Sequence, residues 1–342
     1  MKNNNPRITI LMPVYNVEKY VQEAIESILK QTYKAFKLLI LDDCSTDNTA
    51  KIVKGFNDER IHYVRQEKNL GLADNLNVGI ELADTEYLAR MDGDDISVAT
   101  CLEKQINYLD SHPETGVCGV GLKFFGARDA TLFFPEKNDD IRVEQLFGNA
   151  VIQPMFRRSI FIENNLRYKT SAFPAEDYRM WSECMNYTKI YNLQEVLFHY
   201  RTHAAQISTE KKEEQIRKSN EVRLYLLDNL YPELLKEQKL FFLNSFIPCK
   251  VSNKNDLQAI IDFADLLESE NKKNKKLNSK SLHNRLYKHI TLAVYYSVLE
   301  KYFNKKYSVS NYVHYISSGL YRWMPSKYNI RILIKSILHK KV

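Results

Sequence analysis

Tyr87-Leu88-Ala89-Arg90-Met91-Asp92-Gly93-Asp94-Asp95 is a short apolar run that stops in three carboxylates. Neighbouring apolar residues in so short a stretch read as a strand buried on both faces, as in a parallel sheet. Carboxylates massed at the end of such a strand repel one another unless a cation neutralises them. Oxygen ligands suit a hard cation, Mn2+ or Mg2+, which would in turn hold a diphosphate. Asp-x-Asp alone is common in surface loops. Its place at the end of an apolar strand is what singles this one out.

The same pattern stands earlier in the chain, where Leu39-Ile40-Leu41 runs into Asp42-Asp43-Cys44-Ser45-Thr46-Asp47. Ser45 and Asp47 suit the cap of a following helix, which leaves Asp42 and Asp43 for the rim of a pocket. Around these two runs, short β-rich stretches (7–12, 36–41, 61–64, 87–91, 116–124) alternate with helical ones (17–31, 48–57, 73–83, 99–111). In 17–31, Val17, Val21, Ala24, Ile25, Ile28 and Leu29 recur at helical spacing and make one apolar face. Alternation of this kind predicts an α/β fold, a sheet flanked by helices. Ligands of such sheets bind beyond the carboxyl ends of the strands, where Pro13, Tyr15 and Asn16 also fall. Residues 128–152 read as irregular structure with short elements, 153–158 as a strand, 176–186 as a helix and 190–201 as a strand or hairpin.

With 342 residues the chain is long enough for a large domain and an accessory one. No apolar run approaches the roughly 20 residues of a membrane-spanning helix. Ile8-Thr9-Ile10-Leu11-Met12 is too short for a signal-peptide core, so the protein is expected to work in the cytosol. The five cysteines are scattered and never form a Cys-x-x-Cys pair, which argues for reduced, buried thiols. Charge is divided unevenly. Residues 271–342 hold 16 Lys or Arg against one acid, Glu300, and carry about +15, while residues 1–270 carry about −8. A chain divided this way is expected to have two jobs.

The motifs Ile8-Thr9-Ile10-Leu11-Met12-Pro13-Val14-Tyr15-Asn16, Ser27 to Tyr33, Asp42 to Thr49, Asn69 to Asn77 and Met91 to Asp95 together resemble the family 2 glycosyltransferases. The resemblance runs from about Arg7 to about Ser208. It implies a GT-A fold, a Rossmann-like mixed sheet flanked by helices, with a helical C-terminal extension here. It also implies a nucleotide-diphosphate sugar donor, most often a UDP-sugar, with Mn2+ or Mg2+ as cofactor and inversion at the anomeric carbon. The implied setting is bacterial surface polysaccharide or lipopolysaccharide assembly, with a glycan or lipid-linked acceptor. No Gln-x-x-Arg-Trp segment of the processive synthases is present, which favours one addition per encounter.

Carried onto this sequence, the resemblance places Pro13 and Tyr15 along the base, with Asp43 at its edge; Asp42, on the same rim, is a further donor-binding candidate. Asn69 and Asn75 border the nucleotide, Asp92 meets the ribose, and Asp94 binds the metal. Two positions depart from the family: Cys44 stands where glycine is usual, and Asp74 where a basic or small residue often precedes the Asn. The segment His199 to Ser208 resembles the one that closes over the diphosphate, which makes Arg201 and His203 donor-binding candidates and His203 a second metal ligand.

An inverting transfer needs a base opposite the leaving group. Ala175-Glu176-Asp177-Tyr178-Arg179-Met180-Trp181 resembles the family's late acidic segment, with Asp177 as the base and Glu176 positioning the acceptor or the loop. Acids at a helix start also answer the helix dipole, so that reading stays open for both. Trp181 either lines the acceptor sugar or packs in the core.

The expected domains are 1–210 catalytic, 211–270 a helical extension, and 271–342 a basic helical region entered through a solvated linker at Asn271 to Lys280. Near the end, Lys327, Arg331, Lys335 and His339 recur every fourth position, and Ile330, Leu333, Ile334, Ile337 and Leu338 make an apolar face. With Tyr312, Tyr315, Tyr321 and Trp323 upstream, this reads as an amphipathic helix on an anionic membrane surface, the cytoplasmic face of the inner membrane. Packing on the catalytic domain or an oligomer contact are the other readings. A nucleotidyltransferase would show a Gly-rich basic loop where Pro13 to Asn16 stand. Nucleic-acid binding through the tail has no recognised module to support it.

Overall fold

The structure is a computed structural model in which residues 5–203, 211–249, 251, 254–298, 307–317, 321 and 325–338 are described. The chain divides into two compact units, Met1–Arg223 and Leu224–Val342.

The first unit is built on β1 (Ile8–Val14), β2 (Phe36–Asp42), β3 (Ile61–Arg65), β4 (Tyr87–Arg90), β5 (Ile96–Ser97), β6 (Thr115–Gly126), β7 (Ala130–Leu132), β8 (Met155–Arg157) and β9 (Lys189–Thr202). Their order is β3-β2-β1-β4-β8-β6-β9-β5, with β7 on β6. β3, β2, β1 and β4 are parallel, and β8 runs antiparallel to both β4 and β6. The sheet is thus mixed, as the resemblance implies, and not wholly parallel as the alternation alone suggests. Every residue of β1 and β4 is buried, in keeping with their mostly apolar sequence, Thr9 and Arg90 being the polar members.

Helices α1 (Val21–Leu29), α2 (Thr49–Lys54), α3 (Leu72–Leu82) and α4 (Cys101–Ser111) connect the early strands. α1 buries Val21, Ala24, Ile25 and Ile28, the face read from their spacing. It begins four residues later than expected, because Asn16 turns the chain with φ +53° and residues 17–20 form a turn behind it. The stretch expected to be irregular with short elements holds two, β7 and α5 (Asn138–Glu144). α6 (Arg158–Glu163) and α7 (Glu176–Cys184) follow, and α8 spans Lys212–Leu230.

The first unit reaches past the boundary expected at 210. Two hydrogen bonds show why: Gln215 Nε2 donates to Pro174 O (3.3 Å) and an Arg223 amino group donates to Phe147 O (2.7 Å). The second unit is one body where segments 211–270 and 271–342 are expected. It contains α9 (Lys236–Phe241), α10 (Lys254–Asn274), α11 (Ser279–Val298), α12 (Val309–Ser317) and α13 (Ser326–Ile337). The basic stretch at Asn271 to Lys280 is not a solvated linker. Asn271 is buried and exchanges two hydrogen bonds with Leu277, N–H to Oδ1 (2.9 Å) and Nδ2 to O (2.9 Å), which close a tight turn between α10 and α11. The lysines lie on the surface of that turn while the asparagine organises it.

Candidate active site

Backbone hydrogen bonds fasten the ends of β1, β2 and β4 to one another: Asp43 N–H to Val14 O (2.9 Å) and Met91 N–H to Leu11 O (3.0 Å). The acidic turn after β4 folds back onto the end of β1. A Cβ on Gly93 would meet Val14 Cγ1 at 2.7 Å, so only glycine lets the turn come so near. Pro13, Tyr15, Asp43, Asn69, Asn75, Asp92, Asp94 and His203 consequently line one cavity of about 690 Å3. Tyr15 stands at the cavity with 48 % of its surface exposed, an open aromatic face.

Two adjacent acids divide their work. Asp42 is fully buried and does not line the cavity, against the expectation that it would meet the donor. As the last residue of β2 it turns inward, accepting Ser45 N–H (2.8 Å) and the Tyr63 hydroxyl. Asp43 does line the cavity, and its carboxylate accepts Leu70 N–H (2.7 Å) and Gly71 N–H (2.9 Å). It therefore pins the loop that carries Asn69, and each oxygen keeps a further lone pair. Asn75 ties α3 to β2 by donating to Leu41 O (2.8 Å) while its carbonyl accepts from Gln66 (3.0 Å).

Ser45 accepts Asn16 N–H (3.1 Å) instead of capping α2. Asp47, just ahead of the N-cap Asn48, accepts Thr49 N–H (2.9 Å) at the start of α2 and Glu18 N–H (3.0 Å) in the turn before α1. Cys44, where the family usually has glycine, adopts φ +66°. A side chain in this left-handed region costs about 1 kcal/mol, which accounts for the usual glycine.

Asp94 Oδ2 and His203 Nε2 are 3.1 Å apart, one from the β4 turn and one from just beyond β9. Burial, then the charge of Asp92, push the Asp94 carboxyl up, and His203 opposes them. The Asp94 carboxylate is a ligand type that suits Mn2+ or Mg2+, while the imidazole beside it is the more usual ligand of later transition metals. No group of three or more His, Cys, Asp or Glu among the described residues could hold a metal. Cations of this class are often held by one or two protein ligands plus substrate phosphates and water, so the pair is compatible with one that arrives with a diphosphate.

Arg201, expected on the donor, does not line the cavity. Its Nε donates to Asp94 O (2.7 Å), its amino group to Glu23 (2.5 Å), and its N–H to the buried Asp95 (2.7 Å). It holds the acidic turn against β9. Lys19 and Lys211, neither of them singled out in the sequence, are the cations on the cavity wall.

The carboxylates also have a neutralising partner that the sequence argument overlooked. Arg90, almost fully buried in β4, binds Asp92 Oδ1 through Nε (2.9 Å), contacts Asp177 Oδ1, and lies 3.9 Å from Glu176 Oε1. The clue was in the sequence, since an arginine inside an apolar strand must be paired. Glu176 and Asp177, the first residues of α7, open on a second cavity of about 350 Å3. Asp92, Asp95, Leu72 and Tyr200 line both cavities, so the acids of the two cavities are neighbours across shared walls. Trp181 belongs to neither. It is 1 % exposed and packs edge-on against Phe156, Phe161 and Tyr168, which settles its two readings in favour of the core.

Glu176 is 5 % exposed, and its Oε2 has no hydrogen-bond partner among the described residues. Burial, then the charge of Asp177, push its carboxyl from 4.5 up to about 7. A folded value above the unfolded one means that native protein keeps a proton the unfolded chain has released. Stability therefore falls as pH rises through this window and is lowest above it. Glu176→Gln is neutral at every pH. Its Tm is expected to match wild type at pH 5 and exceed it at pH 8, by the equivalent of roughly 2–3 kcal/mol. Equal differences at the two pH values would remove buried ionisation as the cause.

The comparisons agree with this geometry. Residues 9–163 match the family described as Glycosyl transferase family 2. An uncharacterized glycosyltransferase of Haemophilus influenzae is 27 % identical over 98 % of this chain and 97 % of its own. The uncharacterized glycosyltransferase MJ1057 of Methanocaldococcus jannaschii is 30 % identical, over 58 % of this chain and 71 % of its own. Among solved structures, S. aureus TarS 1-349 in complex with UDP-GlcNAc superposes with a TM-score of 0.56 at 17 % identity, over 98 % of this chain and 92 % of that one. The chain belongs to the family 2 glycosyltransferases, and its first unit has their GT-A fold.

Proposed function

We propose that the protein moves a single sugar, with inversion, from a UDP-sugar to a hydroxyl of a neighbouring glycan or lipid-linked saccharide, in bacterial surface polysaccharide assembly. The observation that carries this is the Asp94–His203 pair on the wall of one cavity, with Asp177 on the next and Asp92 between them. The TarS complex, whose sugar nucleotide is UDP-GlcNAc, supports the choice of donor.

In this reading the base stacks on Tyr15, with Asn69 and Asp43 at its edge and Asp92 toward the ribose. Asp94 and His203 would hold Mn2+ or Mg2+, which when bound offsets the negative charge of the diphosphate. Lys19 and Lys211 add positive charge on the same wall. The acceptor enters the second cavity and presents its hydroxyl to Asp177. Asp177 takes the proton as the acceptor oxygen bonds to the anomeric carbon. The bond from that carbon to the diphosphate breaks, and its electron pair leaves with the diphosphate. Attack from the side opposite the leaving group gives inversion. Burial pushes the Asp177 carboxyl up and Arg90 opposes it, favouring the ionised form and aiming it, with the guanidinium anchored on Asp92 at the other end.

The test is a panel of UDP- and GDP-sugars with Mn2+, followed by release of nucleoside diphosphate through slow hydrolysis. One UDP-sugar is expected to stand out. A panel in which no sugar nucleotide is turned over or bound contradicts the assignment.

A further inference from the structure

We propose that the outward face of α13 seats on an anionic lipid bilayer. The helix packs inward through Ile332 and Ser336, which are fully buried. On the opposite side Ile330, Ile334, Ile337 and Leu338 are each at least half exposed. Their spacing sets them in one stripe. A helix at the surface of a soluble domain turns polar residues outward, and this one turns out four large aliphatics.

The cations are on the same side. Lys327 and Arg331 are exposed and lie along one flank of the stripe, within a turn of Ile330 and Ile334. The sequence alone suggested a basic stripe apart from an apolar face. In the structure the two adjoin, and both point outward. Lys335 leans away, its ammonium 4.8 Å from the Tyr307 ring centroid. His339 and Trp323, also expected to contribute, lie outside the described residues.

Charge selects the occupant. In a symmetric dimer a second copy would bring Lys327 and Arg331 against a segment that is itself about +15, a like-charged contact that is disfavoured. A bilayer with anionic headgroups over an apolar interior matches both halves of the face. α13 has 12 residues, and none of the described helices is long and apolar enough to cross a membrane, so it lies along the surface. Each lysine or arginine near such a surface strengthens binding about fivefold.

The test uses the full chain and vesicles of phosphatidylcholine alone or with about a third phosphatidylglycerol. It compares wild type with the double variants Lys327→Glu/Arg331→Glu and Ile334→Ser/Ile337→Ser, and circular-dichroism melting checks their fold. Wild type is expected to sediment with the anionic vesicles, at least tenfold more tightly than with the neutral ones. Each double variant is expected to lose at least tenfold at unchanged melting temperature. If a double variant melts early, the single Arg331→Gln, at an exposed position, carries the charge test with an expected loss of about fivefold. Failure of wild type to bind, or equal binding by folded variants, overturns the proposal. So does a vesicle-free dimer that Ile334→Ser/Ile337→Ser dissociates, which would give the face to a second copy. None of these readouts depends on the donor or acceptor assigned above.

Discussion

Asp177→Asn is expected to lower sugar transfer by about a thousandfold while donor affinity stays within about twofold of wild type. The substitution keeps the shape of the side chain and an oxygen for Arg90, and removes only the ability to take a proton. Arg90 stays paired with Asp92 and near Glu176, so the buried cation is not stranded and the melting temperature should change little. The donor cavity does not include Asp177 among its lining residues, which is why binding should survive. Glu176 is the natural rival as base, since it lies on the same cavity with its carboxyl at about 7. The pair of variants separates them. An active Asp177→Asn protein beside an inactive Glu176→Gln protein would exchange their roles.

Asp94→Ala should be as damaging to transfer but different in kind. It removes the carboxylate of the proposed metal pair, so donor affinity should fall at least tenfold and transfer by two to three orders of magnitude, on the order of 3–4 kcal/mol of lost charge stabilisation. Stability should move the other way. Asp94 is crowded by Asp92 and desolvated by burial, both of which disfavour its charge. Removing it relieves that repulsion, so the melting temperature in the absence of metal should hold or rise. A variant that loses activity by unfolding would show the opposite melting shift, and one that keeps Mn2+-dependent turnover would place the metal elsewhere.

The strand ends that carry the site could be read directly. An apolar strand that stops in acids is a local signal, and β2 and β4 carry it, while β1 runs into Tyr15 and Asn16 instead. Pairings made far along the chain could not be read. The carboxylates after β4 look as though they require a metal when only their mutual repulsion is counted. Arg90, two residues before Asp92, already shares its charge with Asp92 and with Asp177, which is remote in sequence.

Adjacent residues were equally hard to tell apart. Asp42 and Asp43 look alike in a line of sequence, yet one faces the interior and the other the cavity, because successive strand residues point to opposite sides. Trp181 shows the limit of spacing arguments. Its position in α7 was compatible with a sugar platform, and only the surrounding Phe156, Phe161 and Tyr168 rings show that it is core. Asn271 was lost in a basic stretch whose composition suggested solvent, although its amide closes the α10–α11 turn.

Calorimetric titration of the preferred UDP-sugar into wild type and Asp94→Ala, each in Mn2+ and in EDTA, bears most directly on the donor cavity. Wild type should bind at least tenfold more tightly in Mn2+ than in EDTA, and Asp94→Ala should bind weakly and alike in both. Metal-independent binding by wild type, or an undiminished Mn2+ effect in the variant, would contradict a donor held through Asp94.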